Sequence, residues 1–167
     1  MKKIGICLAI TLTCAASFAF GVDKAELDEV VTFEESLKSL ALAVRGEAEP
    51  PPQDKVLIID GVVSGVQVID AEEESFRARI ELVSGEWQGL ENIMMYKTYV
   101  DIAGAEFFHR VPSRANRRPT GGAIETNNRI VVAGRFEGET AKEEGLEEEG
   151  EGAPIPVLEA FYVLTLQ

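Results

Sequence analysis

The chain has 167 residues, of which 46% are hydrophobic and 27% are charged. This composition excludes wholesale disorder and indicates one folded domain with room for a small appendage. Its 29 acidic residues outnumber 16 basic ones and set the formal charge at -13, so a broadly basic surface is excluded. The sequence therefore disfavours nucleic acid and anionic membrane surfaces as partners.

Residues 1–21 have the layout of a secretory signal peptide. Lys2 and Lys3 precede an uncharged apolar run that ends in small residues. Cleavage is expected after Ala19 or Gly21, and the sequence does not decide between these positions. We predict a bacterial periplasmic or secreted protein with no membrane span after cleavage. A retained membrane anchor and a lipidated Cys14 are the alternatives.

Catalytic and metal-binding patterns are missing from the mature sequence. Cys7 and Cys14 both lie within the predicted signal peptide, so cleavage leaves no thiol for disulfides, catalysis or zinc. His109 is the one histidine, and a triad with Ser113 is formally possible, but no Gly-x-Ser-x-Gly sequence surrounds a serine. We predict a protein that is not an enzyme, with no catalytic residues, no metal site and no cofactor.

Residues 22–46 form a predicted helical segment. Apolar residues recur at steps of three and four between Asp23 and Arg45, which is the period of an amphipathic helix. Possible capping boxes begin at Asp23 and Thr32, so the segment is one helix or two short helices joined near Thr32. Gly46 is expected to end it. We favour a helix packed on its own domain over an arm that docks a partner.

A proline-rich linker, residues 47–54, separates this segment from the rest of the chain, because three consecutive prolines exclude a helix there. Beyond it the hydrophobic period changes from that of a helix to two, the period of strands. Gly61 and Gly65 inside the first run indicate a bulge or sharp coiling. The five predicted strands are Val56–Asp70, Phe76–Val83, Ile93–Ile102, Arg129–Phe136 and Val157–Leu166.

The alternation of apolar residues in the fifth strand predicts one buried face. That pattern predicts that Leu158, Ala160, Tyr162, Leu164 and Leu166 face the core together. Five strands without intervening helices favour a small barrel, because closure removes exposed strand edges.

The order of strands and glycines over residues 55–166 resembles an OB-fold domain. The resemblance lies in Val56–Asp70 turning into Phe76–Val83, and in Asn128–Phe136 followed by a long loop and Val157–Leu166. It implies a mainly β protein, a small five-stranded antiparallel OB-like barrel preceded by an N-terminal amphipathic helix. OB-folds often carry a helix between their third and fourth strands, whereas residues 104–126 contain prolines and a Gly-Gly pair. A β-sandwich or a differently wound barrel is the alternative.

Residues 104–126 are the candidate contact loop, because they group arginines with aromatic residues in an acidic chain. Guanidinium groups beside aromatic rings suit a carboxylate, a phosphate or an acidic protein surface. The alternative is that they pair internally with residues 137–152, a glutamate-rich tract that we predict to be a mobile loop. The candidate binding residues of this loop are Phe107, Phe108, His109, Arg110, Arg114, Arg117 and Arg118.

A second candidate surface is the outward face of the predicted strands, with Arg77, Arg79, Tyr99 and Phe161. The resemblance implies that such residues serve oligonucleotides or oligosaccharides in OB-like domains. Alternatively, the arginines pair with glutamates across a solvated sheet. Our main functional prediction is an exported, non-enzymatic binding or adaptor module of the bacterial envelope that contacts a protein or an anionic envelope component through the loop 104–126. An OB-like binder of oligonucleotide or oligosaccharide is the alternative.

Overall fold

The computed structural model describes residues 24–89, 92–114, 116–119, 121–140 and 154–166. The predicted signal peptide lies outside these residues. No helix in the described ranges is long and apolar enough to cross a membrane. In chain order the elements are α1 (Lys24–Val30), β1 (Val31–Thr32), α2 (Leu37–Val44), β2 (Val56–Asp70), β3 (Arg77–Gln88), β4 (Asn92–Ala103), α3 (Ala105–Phe108), β5 (Arg129–Thr140) and β6 (Ile155–Leu166).

Five long strands are joined in a ring of pairings. β2 pairs antiparallel with β3, and β3 pairs antiparallel with β4. β4 runs parallel to β6, β6 antiparallel to β5, and β5 returns to β2. This strand order is that of the OB-fold, so the predicted mainly β, OB-like architecture is confirmed. The parallel β4–β6 pair departs from the all-antiparallel barrel that we expected, and the short helix α3 lies where the sequence indicated none.

The N-terminal segment forms two short helices, as one of the two alternatives predicted. Ser36 caps α2, with its hydroxyl accepting from the backbone N–H of Ser39 at 3.2 Å. Gly46, at a φ of 74°, ends the helical turn beyond α2, as expected. Leu37 and Leu40 are buried in the core, so α2 packs on its own domain. The parallel strand β1, which pairs with the start of β2, was not predicted.

Strand alternation places the core as expected in β2 to β5, but not throughout β6. Between the pairs Gly134–Ala160 and Ala133–Tyr162 the register shifts, which leaves Phe161 unpaired as a bulge. Because one extra residue inverts the alternation, Val163 is buried beyond this point. The prediction that Tyr162, Leu164 and Leu166 face the core is therefore wrong, and all three are exposed.

Gly65 marks the bulge that its presence in the first strand indicated. Val63 opposes Leu82 and Gly65 opposes Glu81, so Ser64 is the extra residue. The glutamate-rich tract begins later than predicted, since residues 137–140 are the end of β5 and not loop. The rest of that tract up to residue 153 lies outside the described residues.

Candidate functional site

The arginine and aromatic residues of the loop 104–126 largely build the end of the barrel. Phe107 is buried in the core, and Phe108 packs edge to face on Phe76 with 5.8 Å between ring centroids. Val111 and Ile124 are also buried, so the loop carries apolar partners that its prolines and glycines concealed. The loop therefore covers core residues and is not a detached recognition arm.

Arg110 holds this loop to the last strand. Its guanidinium donates to the carbonyl oxygens of Gly122 at 3.1 Å and Val163 at 2.6 Å, and Nη2 lies 3.4 Å from the hydroxyl of Thr165. Burial lowers the pKa of Arg110, with a smaller opposing contribution from Tyr162. The donors of Arg110 are thus directed at this chain's own backbone, which is a structural role.

His109 and Ser113 are not joined by a hydrogen bond. The His109 ring is exposed, and its Nε2 lies 3.2 Å from a carboxylate oxygen of Glu73. The Ser113 hydroxyl accepts instead from the backbone N–H of Asn116 at 2.9 Å. Within the described ranges no group of three or more histidine, aspartate or glutamate side chains is arranged to hold a metal ion.

The three other arginines of the loop differ from Arg110. Arg114, Arg117 and Arg118 are exposed and form no ion pair with any residue that the structure describes. They are therefore available to a partner, but Phe107 and Arg110, which were expected to act with them, are occupied in the fold.

The outward face of β3 and β4 carries a ladder of charges around one tyrosine. Arg79 binds Asp101 through two hydrogen bonds of 2.7 Å, and Lys97 lies 2.8 Å from Glu81 on the neighbouring rung. Both cations also lie over the Tyr99 ring, with 5.2 Å from Arg79 and 5.8 Å from Lys97 to its centroid. Tyr99 is consequently only 4% exposed although it points away from the core.

These contacts change the protonation behaviour of the ladder. The hydrogen bond to Asp101 raises the pKa of Arg79 above its ordinary value, although burial works in the opposite direction. Burial also tends to raise the pKa of Glu81, but hydrogen bonds from Lys97 and Ser64 outweigh it and hold that pKa below its usual range. Arg79 and Lys97 are each paired with a carboxylate of this chain.

A cleft of about 360 Å³ adjoins this ladder at the start of β3. Arg77 from β3 and Arg135 from β5 line it together with the bulged Phe161 of β6. Both arginines are exposed and make no hydrogen bond or ion pair with the residues described by the structure. Carboxylates of Asp101, Glu137 and Glu159 share the lining.

Strand pairing explains why the sequence identified only part of this cleft. Arg77 and Phe161 were candidates, whereas Arg135 was placed on the outward face but not among the site residues. Arg135 opposes Glu159 in the β5–β6 pair, and Glu159 opposes Asp101 across the parallel β4–β6 pair. Alternation predicts that each of these residues faces outward, whereas their proximity depends on which strands are neighbours.

Comparisons with known proteins found similar solved structures. No family model matches the sequence, and no curated protein matches it. The solved structures that resemble the chain include a deletion mutant of the single-stranded DNA-binding protein of Thermus aquaticus, with 17% identity and a TM-score of 0.40 over 67% of this chain and 49% of that one. The chain thus spans about half the length of the Thermus protein.

Two further structures are similar at the same level. The small single-stranded DNA-binding protein of Streptomyces coelicolor has 15% identity and a TM-score of 0.39 over 66% of this chain and 90% of that one. The Plasmodium falciparum single-stranded DNA-binding protein in complex with single-stranded DNA has 8% identity and a TM-score of 0.42, over 67% and 94% of the two chains. At these identities the likeness concerns the fold.

The prediction of an envelope adaptor, with nucleic acid as an unlikely partner, is wrong. The similar structures named above are those of single-stranded DNA-binding proteins. The loop on which that prediction depended is built into the barrel through Phe107 and Arg110. Net charge misled the sequence argument, because a charge of -13 describes the whole surface and says nothing about a local pair such as Arg77 and Arg135.

Proposed function

We propose that the chain binds single-stranded oligonucleotides on the outward face of β3 and β4 and in the adjoining cleft. OB-folds bind oligonucleotides and oligosaccharides on the face of their second and third strands, which are β3 and β4 here. The observation that carries the proposal is the pair Arg77 and Arg135, two exposed cations that make no hydrogen bond or ion pair with the described residues and lie beside Phe161 in one cleft. Arg77 also opposes Asp70 across the β2–β3 pair, and its charge helps to lower the pKa of that carboxyl.

The residues of the site make different kinds of contact with the ligand. Arg77 and Arg135 contact phosphates, because their guanidinium groups present unused donors. Phe161, which is 52% exposed, offers a ring on which a base stacks. Arg79 and Lys97 contribute less, since each is bound to a carboxylate and covers Tyr99.

This division predicts weak binding with a shallow dependence on salt. Single-stranded ligands lose affinity with a slope of about -0.7 in log K against log salt for each neutralised phosphate, so two arginines give roughly -1.4. Glu137 and Glu159 in the cleft, and the overall charge of -13, reduce affinity further. A short segment of a few nucleotides is the expected ligand.

Fluorescence anisotropy of a labelled oligothymidylate, titrated with protein between about 20 and 200 mM salt, tests the proposal. The double variant Arg77→Gln, Arg135→Gln should lose measurable binding. The matched control is Arg117→Gln, Arg118→Gln, which makes the same change in net charge on the exposed loop and should bind as wild type. Phe161→Leu should weaken binding by about 1 to 3 kcal/mol and leave the salt slope unchanged.

Equal losses of affinity in the two double variants would show that binding depends only on net charge. That result would overturn the assignment of the cleft as the binding site. Absence of binding by wild type at the lowest salt would overturn the oligonucleotide function itself. Binding of a neutral oligosaccharide without any salt dependence, in place of the oligonucleotide, would assign the same face to the other ligand class of OB-folds.

We propose separately that the chain is exported. The support is the order of Lys2, Lys3, an apolar run and small residues at the start of the sequence. Mass spectrometry of the protein from its native cells should find an N-terminus at Phe20 or Val22, and an intact Met1 would contradict export. That the protein is not an enzyme stays a prediction.

A further inference from the structure

The side of the barrel formed by β2, β5 and β6 is an exposed apolar surface. Beyond the bulge, Tyr162, Leu164 and Leu166 point outward and are 56%, 45% and 41% exposed. The pairing register sets Ala133 beside Tyr162 and Val131 beside Leu164. We call this surface, completed by Ile58 and Val62 of β2, the apolar face; the ion pair of Asp60 and Arg129 lies within it, beside Val62. Contiguous exposed apolar patches on a soluble protein mark interaction sites.

A hairpin arm extends from the same surface. We define the arm as residues 84–88 of β3 and 92–95 of β4, which stay paired to their ends. Trp87 opposes Ile93, and Gly85 opposes Met95, so these side chains share one side of the arm. A Cβ at Gly85 would lie 3.1 Å from Ile93 and 3.2 Å from Met95, which shows that both side chains lean over the glycine. Trp87 is 67% exposed.

The arm and the apolar face are continuous. Val62 at the edge of the face opposes Val83 at the base of the arm. A groove of about 390 Å³ lies between them, lined by these two valines and Met95. One surface of the protein thus presents both an apolar projection and an apolar groove.

The charges on this surface complement each other. Asp60 and Arg129 line the groove, with Nη2 of the arginine 2.5 Å from Oδ2 of the aspartate, and their side chains are 52% and 63% exposed. The net charge of this pair is zero in a chain whose total charge is -13. A basic partner would bind to the exposed glutamates on other surfaces of the chain. A second copy, rotated by two-fold symmetry, would instead place its Arg129 near Asp60 and its Asp60 near Arg129.

We propose that a second copy of this chain docks here, with the arm of each copy lying on the apolar face of the other. Two-fold packing puts the same patch in contact on both subunits, so one surface must supply both the projection and the groove, as this one does. It also brings Asp60 of each copy toward Arg129 of the other. Trp87 and Tyr162 are the central contacts, since aromatic rings bury about 150 to 250 Å² each when covered.

Sedimentation equilibrium of the full chain tests the dimer. The two charge-reversal variants used are complementary to each other. Asp60→Arg leaves two cations on the surface, and Arg129→Asp leaves two anions. Each variant alone should weaken self-association by at least about tenfold through like-charge repulsion. A mixture of the two variants should regain the mass of a dimer, since each then meets the opposite charge.

The apolar contacts have a matched control. Trp87→Ser should also weaken association by about tenfold or more. Phe33→Ser removes an equally exposed aromatic ring from the N-terminal segment, and should leave association unchanged. Circular dichroism of each variant distinguishes loss of association from loss of the fold.

A wild-type chain that remains monomeric up to about 100 μM overturns the proposal, because a specific interface of ordinary size is stronger than this. Failure of the mixed charge variants to associate, although wild type does, assigns dimerisation to another surface and overturns the arrangement proposed here. Oligonucleotide binding is measured on the same samples. Asp60 and Arg129 do not line the cleft of Arg77, Arg135 and Phe161, so the charge variants distinguish failure of the dimer from failure of the oligonucleotide function.

Discussion

At the scale of single residues, Arg110 shows how a recognition motif and a structural one look alike in a sequence. Its neighbours Phe107 and Phe108 and its place in a loop with proline and glycine indicated a contact site. Its acceptor at Val163 lies 53 residues away in the chain. No local sequence pattern predicts a hydrogen bond to a backbone carbonyl at that separation. The sequence therefore identified Arg110 as a donor but not the acceptor that it binds.

Arg110→Gln should therefore destabilise the protein. The substitution removes donors from the carbonyls of Gly122 and Val163, and hydrogen bonds from a charged group contribute about 1.5 to 3 kcal/mol. The free energy of unfolding, measured by urea denaturation, should fall by an amount in that range. Arg117→Gln is the control, and should change it by less than about 0.5 kcal/mol because Arg117 is exposed. Equal effects would show that Arg110 does not hold the loop.

At the scale of elements, β6 shows that alternation alone does not predict which side chains of a strand are buried. Residues 162–166 include apolar side chains of both parities, so the sequence is compatible with either face being buried. The bulge at Phe161 decides between them, and it exists because Gly134 allows the backbone of β6 to approach. The strands themselves were predictable, whereas the inversion within one of them depends on a neighbour 27 positions earlier in sequence.

The close approach at Gly134 predicts a large effect of a single methyl group. A Cβ there would lie 2.5 Å from the carbonyl oxygen of Glu159, too close for the backbone to accommodate without shifting. Gly134→Ala should lower the free energy of unfolding by about 1 to 3 kcal/mol. Gly65→Ala provides the comparison, since the nearest atom to its Cβ would be 4.0 Å away in Glu81. Thermal denaturation of both variants measures the difference, and a Gly134→Ala protein as stable as Gly65→Ala would contradict the bulge.

At the scale of the whole molecule, the ring of five strands followed from the number, length and glycine content of the predicted strands. The parallel β4–β6 pair did not follow, and it is this pair that brings Asp101 beside Glu159. The cleft was therefore hidden from the sequence, although the outward direction of Arg77 and Arg135 was visible in the alternation. Net charge was a poor predictor of the ligand for the same reason, because it does not show which charged side chains lie close together.

The fold should lose stability in acid. Hydrogen bonds hold the pKa values of Asp70, Glu81 and Glu86 below their ordinary values in the folded state. Groups with a depressed pKa stabilise the fold above the pKa of the unfolded chain, and this contribution is lost as the pH falls through the folded value. Stability should therefore fall below about pH 4.

Thermal unfolding between about pH 3 and pH 7 measures this decrease. Added salt at pH 7 should raise the melting temperature by screening repulsion within a chain of charge -13. Glu81→Gln removes one of the carboxyls with a lowered pKa and should make the melting temperature fall less steeply in acid. A melting temperature that is the same at pH 3 as at pH 7 would contradict the role of these carboxyls.

The bulge at Phe161 also has a consequence for how this protein can evolve. Residues before it contribute to the cleft and residues after it to the apolar face, so point substitutions can change either surface without disturbing the other. Loss of the single codon for Phe161 would act differently, because it would remove the bulge residue and the aromatic ring of the cleft together. Ala160 would then be followed by Tyr162 facing outward and Val163 facing inward, as both lie now. A lineage that needs only the apolar face can therefore lose position 161, whereas lineages that keep both surfaces should retain a residue there.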